Sequence, residues 1–312
     1  MSILLDESAK VVILGITGRF GVFSARDLAD YGTKVVAGVS PGHHGEKVEG
    51  VPVFGNVADA MRECQPNSAL VYVPAPTALD AVLETLEAGC KLVVYPGDGL
   101  PVQDAMEMRA AARSNGSVLI GPNSPGLISP GRAKLGFMPS FCFKKGAIGL
   151  MSRSGSLSYE AAHRLSSVGL GQTTSLGIGG DPVKGVNAAE AMELFHADAK
   201  TRAIIYLGEI GGSDEYAVVE YARRSGAKPV VALLVGRTAP PGKKMGHAAA
   251  MIDSFSDTWH AKVEALERSG VKVARSLDLL VNAAAHAIGV PGAWPNQHAD
   301  ELIREKEKFD GV

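Results

Sequence analysis

Short runs of β-branched and aliphatic residues recur along this chain, each followed by a stretch of helical periodicity, and this alternation constrains the fold more than any other feature. "KVVILG" (10–15), "KVVAGVS" (34–40), "SALVYVPAP" (68–76), "KLVVYPG" (91–97) and "SVLIGPN" (117–123) are apolar almost throughout, as strands buried on both faces must be. "TALDAVLETLEAG" and "PVQDAMEMRAAARSNG" lie between them with helical spacing, each closing on a glycine that can take a left-handed cap. Such a series predicts an α/β fold, a parallel sheet with crossover helices. The alternation restarts after residue 146. "AIGLMSRSG", "TTSLGIGGD", "TRAIIYLGEIGG", "KPVVALLVG" and "VKVARS" supply strands; "SLSYEAAHRLSSVG", "NAAEAMELFHAD", "DEYAVVEYARRSG" and "WHAKVEALERSG" supply helices. The intervening segment 124–146 is dense in Pro and Gly without a sustained period and is expected to be a connecting arm. The expected division is 1–123, arm 124–146, 147–288 and a tail 289–312, in which "ADELIREKEKF" reads as a solvated or docking helix beyond Trp294.

Two domains also suit 312 residues of 46% hydrophobic content, since a single core rarely grows past about 250–300 residues. A net charge of −2 leaves no broad basic surface and argues against nucleic acid and anionic membrane as partners. No run approaches the ~20 apolar residues needed to span a bilayer. Asp6 and Glu7 interrupt the apolar stretch that a signal peptide would need, so a cytoplasmic protein is expected. Cys64, Cys90 and Cys142 are widely spaced and form no CxxC pair, so bystander thiols are expected and no metal site.

The turn after the first strand raises the question of a ligand. Its glycines, Gly15, Gly18 and Gly21, have G-x-x-G-x-x-G spacing rather than the dinucleotide G-x-G-x-x-G, and the second strand ends "GVSPGHHG" with no acid before Glu46 to hold a ribose. A nicotinamide oxidoreductase is therefore disfavoured. "SPGHHG", "VPAPT" and "YPGDG" would nonetheless gather at the carboxyl ends of neighbouring strands, where open α/β sheets bind ligands, and helix-start amides at Gly18–Gly21 suit a phosphate. In the second half, "SRSGSLSYEAA" (152–162) sets Ser154, Gly155 and Ser156 at a helix start, as an anion cradle or simply as an N-cap. "GIGGDP" (177–182) and "GEIGG" (208–212) imply backbone closely approaching something. "RTAPPGKKMGHAAA" (237–250) presents His247 among small residues, with Glu209 at a strand end as a candidate to orient its ring.

"GPNSPGLISPG", "SRSGSLSYEA", "GIGGDP", "GEIGG" and "APPGKKMGHAAA", in this order, closely resemble the α subunit of succinyl-CoA synthetase and related nucleoside-diphosphate-forming acyl-CoA ligases, malate–CoA ligase among them. The resemblance runs over roughly 10–288. It implies a Rossmann-like N-terminal domain that binds coenzyme A, a flavodoxin-like second domain, and a β-subunit partner whose ATP-grasp domain holds ATP or GTP with Mg2+, in an αβ or (αβ)2 assembly. It makes His247 a phosphohistidine, Glu209 its orienting acid, and Ser154, Gly155 and Ser156 the phosphoryl cradle. Gly18, Arg19, Phe20, Gly21, His43, Pro74 and Asp98 fall at coenzyme A, and Asn123 and Ser124 at the acid. No Walker-type G-x-x-x-x-G-K-[ST] occurs in the chain, which agrees with a nucleotide held elsewhere. The chain departs from the family pattern at His43 in "PGHHG", Asp98 in "PGDGLP", Ser124 in "GPNSPG" and Lys184 in "GGDPVKG", where proline is common. The acid expected is short, succinate or else malate, citrate or a sulfonated or otherwise substituted relative. A non-enzymatic coenzyme-A-binding regulator is the alternative of another class; it would need neither His247, nor Glu209, nor the cradle.

Overall fold

The computed structural model describes residues 3–290; Trp294 and the segment "ADELIREKEKF" lie outside the described residues. The first half of the chain supplies β1 (Lys10–Leu14), β2 (Lys34–Val39), β3 (Lys47–Val48), β4 (Val51–Phe54), β5 (Ser68–Val71), β6 (Leu92–Val94) and β7 (Val118–Ile120). Its helices are α1 (Arg19–Tyr31), α2 (Val57–Cys64), α3 (Ala75–Glu87) and α4 (Val102–Ser114). The strands lie in the order β3-β4-β2-β1-β5-β6-β7, all neighbours parallel except the short β3–β4 pair. With β3 set aside this is the doubly wound order of a Rossmann sheet, and the order reverses between β1 and β5. β1 is buried along Val11–Leu14 and β5 along its whole length, which is why neither shows a polar alternation in the sequence.

The second half carries β8 (Gly126–Ser129), β9 (Ala133–Gly136), β10 (Lys145–Ser152), β11 (Gln172–Gly177), β12 (Ala203–Glu209), β13 (Val230–Val235) and β14 (Lys272–Ala274). Its helices are α5 (Gly155–Ser167), α6 (Ala188–Ala197), α7 (Asp214–Ala222), α8 (Trp259–Arg268) and α9 (Leu277–Ala287). The parallel strands run β14-β13-β12-β10-β11, the flavodoxin-like order, with its switch point between β10 and β12. The segment expected to be only a connecting arm contains the hairpin β8–β9, and β8 pairs antiparallel with β11, so this stretch also extends the second sheet. Its Pro and Gly residues hide the strands because Gly126 and Gly136 face each other across the hairpin so closely that a Cβ on either would meet backbone at 2.0–2.4 Å.

The hairpin also ties the two sheets together. Lys134 of β9 is fully buried, and its Nζ reaches Asp27 of α1 at 2.7 Å, the Met138 carbonyl at 3.1 Å and the Ser140 hydroxyl at 2.9 Å. The Thr33 hydroxyl donates to the Lys134 carbonyl, and the Lys134 amide donates back to it. A buried ammonium held by a carboxylate and two further acceptors is a fixed joint, because losing any partner would strand a charge out of water.

Under β10, Gly149 leaves room for Phe195 of α6: a Cβ there would lie 2.4 Å from the ring, which is completely buried. Phe195→Ala should therefore cost roughly 3–5 kcal/mol, read as a lower urea midpoint; an unchanged midpoint would contradict this packing.

Candidate active site

The carboxyl ends of β10, β11 and β12 emerge side by side, since Ser152 pairs with Gly177 on one neighbour and Leu207 on the other. Glu209 is the last residue of β12. His247 comes from an irregular loop far along the chain, and its Nδ1 lies 2.8 Å and 2.9 Å from the two carboxylate oxygens of Glu209. An ionised carboxylate only accepts, so Nδ1 carries the proton and Nε2 is left with the lone pair in the neutral ring. The Glu209 hydrogen bond raises the imidazole pKa above 6.5, against the opposing effect of burial.

The glycines of the two turns are explained by this loop. A Cβ on Gly180 would sit 2.3 Å from Cγ of His247, and one on Gly211 would sit 2.1 Å from the Ala249 carbonyl. The Ala249 amide donates to the Gly180 carbonyl. What the backbone of "GIGGDP" and "GEIGG" approaches is thus this chain's own loop, and the imidazole rests on bare peptide.

Beneath Glu209 lies a charge network that the sequence analysis did not single out. Arg153, with no exposed side-chain surface, sits 3.2 Å from Glu209, 3.5 Å from Glu215 and 3.6 Å from Asp214. Its Nη1 donates to the carbonyls of Glu209 and Gly211. Lys262 of α8, also fully buried, donates to the Glu215 carboxylate at 2.5 Å, and Lys184 donates to Asp214 at 2.8 Å. The Tyr206 hydroxyl donates to Glu215 at 2.6 Å. Burial alone would depress the Arg153 pKa, but Glu215, Tyr206, Glu209 and Asp214 hold it above the ordinary arginine value. Burial would likewise push Asp214 up, yet Lys184 and Arg153 hold it below the usual carboxylate range. The sequence hints were the arginine of "SRSGSLSYEAA", the acids that open "DEYAVVEYARRSG" and the unusual Lys184 of "GGDPVKG".

At the cradle, α5 starts at Gly155 with Ser154 as its N-cap, the Ser154 hydroxyl accepting from the Leu157 amide. The Ser154 amide is already engaged by the Ser152 hydroxyl at 3.0 Å. Ser154 is therefore a cap rather than an amide donor, and among the described residues the N–H groups without a partner at this helix start are those of Gly155 and Ser156. Ser124 also departs from expectation: it is buried, donating to the Gly177 carbonyl at 2.6 Å and accepting from the Gly126 amide, so it braces the loop instead of facing an acid. Asn123 alongside donates to Asp181.

In the first domain a cleft of about 680 Å3 opens at the β1/β5 switch, lined among others by Phe20, Tyr72, Pro74, Asp98, Asn123 and Phe137. It brings together three residues expected at coenzyme A, Phe20, Pro74 and Asp98, with Asn123 expected at the acid. Phe137, which follows β9, meets Phe20 edge to face at 5.5 Å and Tyr72 in a tilted arrangement at 5.2 Å between ring centroids, so the second domain's hairpin closes one wall. Gly18 is exposed at the N-cap of α1, with no side-chain cap, and Arg19 is exposed beside it. Gly15 and Gly21 are required by packing: a Cβ would meet the Tyr72 carbonyl at 2.4 Å or the Gly15 carbonyl at 2.3 Å. Gly18 is not, because its φ is −73° and a Cβ would have only one close neighbour, at 3.2 Å. Its smallness matters for what approaches from outside. His43 stands apart, on an exposed loop where its Nδ1 meets Glu46.

Residues 6–96 match the CoA binding domain model and residues 151–285 the CoA-ligase model. The chain is 50% identical over 275 residues to the alpha subunit of succinate–CoA ligase [ADP-forming] of Aquifex aeolicus, covering 88% of this chain and 90% of that protein. It is 47% identical to alpha subunit 2 of the Archaeoglobus fulgidus enzyme, over 88% and 96%. A mutant ATP citrate lyase of Methanosaeta concilii, solved with (3S)-citryl-CoA, has the same fold over 97% of this chain, with a TM-score of 0.85 at 21% identity. The chain spans 56% of that longer polypeptide.

Because Glu209 holds the imidazolium, exchange of the His247 C2 proton, followed by mass spectrometry, should titrate above pH 6.5. Glu209→Gln should bring the midpoint down, because the neutral amide no longer favours the charged ring. An unmoved midpoint would remove Glu209 as the cause.

Proposed function

The chain belongs to the succinate–CoA ligase alpha-subunit family, and we propose that it is the α subunit of an ADP- or GDP-forming acyl-CoA ligase working through a phosphohistidine at His247. It is part of an acid–thiol ligase. The observation that carries the reading is the His247–Glu209 contact, 2.8 Å at the switch point of the second sheet, which leaves Nε2 as the nucleophile.

In this reading the terminal phosphoryl group of a nucleoside triphosphate passes to Nε2, with the nucleoside diphosphate as leaving group. A carboxylate oxygen of the acid then takes the phosphoryl group, which restores the neutral ring and yields an acyl phosphate. The coenzyme A thiol displaces inorganic phosphate to give the thioester. Glu209 supports the first transfer by fixing the tautomer and by balancing the positive charge that develops on the ring. The Gly155 and Ser156 amides, backed by the dipole of α5, suit the phosphoryl oxygens. The first-domain cleft suits coenzyme A: the α1 N-terminus offers uncapped amides to its phosphates, and Phe20 and Pro74 offer apolar surface. The nucleotide is assigned to a β subunit with an ATP-grasp domain, as the similarity to alpha subunits of succinate–CoA ligase implies. The acid is a short carboxylic or dicarboxylic acid such as succinate. A panel of succinate, malate, citrate and sulfonated analogues, assayed for thioester formation with the cognate β subunit, identifies it. Among the described residues no helix is long and apolar enough to cross a membrane.

With γ-labelled ATP, the αβ complex should acquire a label that is labile in acid and stable in base, and His247→Ala should abolish both label and thioester synthesis while coenzyme A still binds. A fully active His247→Ala enzyme would exclude the mechanism. The isolated chain should make no acyl-CoA from ATP; turnover by it alone would refute the need for a partner. Gly18→Val should weaken coenzyme A binding far more than it lowers the thermal midpoint, because the side chain obstructs the exposed side of the turn while its Cβ meets one internal neighbour, the Gly15 carbonyl at 3.2 Å. Equal loss of binding and of fold stability would assign Gly18 to packing instead.

A further inference from the structure

We infer that Lys184 and Asp214 are positioning residues for His247, acting through Arg153 to set the orientation and residual charge of the Glu209 carboxylate. The inference rests on the reading of His247 as the phosphoryl acceptor. The geometry is a line of alternating charge: Lys184 Nζ to Asp214 2.8 Å, Asp214 to Arg153 Nε 3.6 Å, Arg153 Nη2 to Glu209 3.2 Å, Glu209 to His247 Nδ1 2.8 Å. Lys184 has a side chain only 6% exposed and Asp214 11%, so water screens this line poorly.

Arg153 is the shared member. Each acid around it has a second partner of its own: Glu215 has Lys262 and Tyr206, Asp214 has Lys184, and Glu209 has His247. Arg153 spends its hydrogen bonds on two carbonyls, and its Nε and Nη2 make none among the described residues. Toward the three carboxylates it is therefore held by charge, without short directional bonds. Neutralising or exposing one acid must redistribute its field over the others. Lys184 decides how much of that field Asp214 draws. The groups facing His247 are Glu209 from β12, Arg153 from the β10 end and Asp181 from the β11 turn; Glu209 and Asp181 favour the imidazolium and Arg153 opposes it. Lys184 and Asp214 also line, with Ala248 and Ala249, a cavity of about 390 Å3 beneath the loop that carries His247.

The signs are opposite for the two partners. Lys184→Met leaves Asp214 to draw Arg153 away, so Glu209 holds the imidazolium more tightly. The pH midpoint for phosphorylation of the αβ complex, and for His247 C2 exchange, should rise by roughly half a unit. Asp214→Asn releases Arg153 toward Glu209, and both midpoints should fall by a similar amount. The double variant should lie near the wild type, and Lys184→Arg, which keeps the charge, should also stay near it. Lys184→Gln removes the same charge and replaces Lys184→Met should that variant fail to fold. Rates that drop with unmoved midpoints, or midpoints that move in the same direction for both partners, would overturn the proposal. C2 exchange needs no turnover. Failure of the wild-type complex to form an acid-labile label would thus overturn the phosphohistidine reading, while unmoved exchange midpoints would overturn the positioning role.

Discussion

Everything at the carboxyl end of the second sheet depends on a buried cluster in which Arg153, Lys262 and Lys184 face Glu209, Glu215 and Asp214. Three cations meet three acids where three side chains, those of Arg153, Lys262 and Glu215, have no exposed surface at all, so no member can be removed without stranding a charge of costly solvation. Such a cluster adds little net stability compared with apolar packing, yet it permits very few arrangements. Glu209 inherits that fixity, and His247 inherits it from Glu209. An imidazole on a loop without regular secondary structure is thereby oriented by a residue at a strand end.

The two sheets share one logic of construction. Each has a switch point where the strand order reverses, and each places its special residues at or just beyond the carboxyl ends there: Gly15–Gly18 and Tyr72–Pro74 in the first, Arg153 and Glu209 in the second. The hairpin β8–β9 joins them, anchored by Lys134 to α1 and reaching Phe20 and Tyr72 through Phe137. The cleft wall is consequently contributed by both halves of the chain. A ligand lying in it would extend from the first domain toward Asn123, whose side chain bonds Asp181 one residue beyond the glycine under His247.

Glycine and serine illustrate where reading the chain alone falls short. "GIGGDP" and "GEIGG" announce close approach, but the approaching group is a loop about forty to seventy residues further on, and no local pattern could name it. Gly18 and Gly21 look alike in the sequence; one is open to solvent and the other is jammed against the Gly15 carbonyl. Ser154 and Ser124 carry the right chemistry for donors, yet Ser154's amide and Ser124's hydroxyl are already engaged inside the fold. A short polar side chain near a helix start serves a cap and a ligand equally well in sequence, and only its partners distinguish the two.

From the sequence alone came the α/β class, most of the strands and helices of both series, and the candidacy of His247 and Glu209. Those follow from local physics: doubly buried strands must be apolar, helices must end, and a nucleophile with an orienting acid needs particular residue types. The tertiary structure alone decided that the Pro- and Gly-rich segment forms a hairpin on the second sheet, that His247 meets Glu209 through Nδ1, and that Arg153, Lys184, Lys262, Asp214 and Glu215 gather beneath them. The reason is that charge pairing between residues about thirty to sixty positions apart leaves no periodic trace. Ions accept burial only where the folded chain brings their counter-ions, and that meeting is a property of topology rather than of any local stretch.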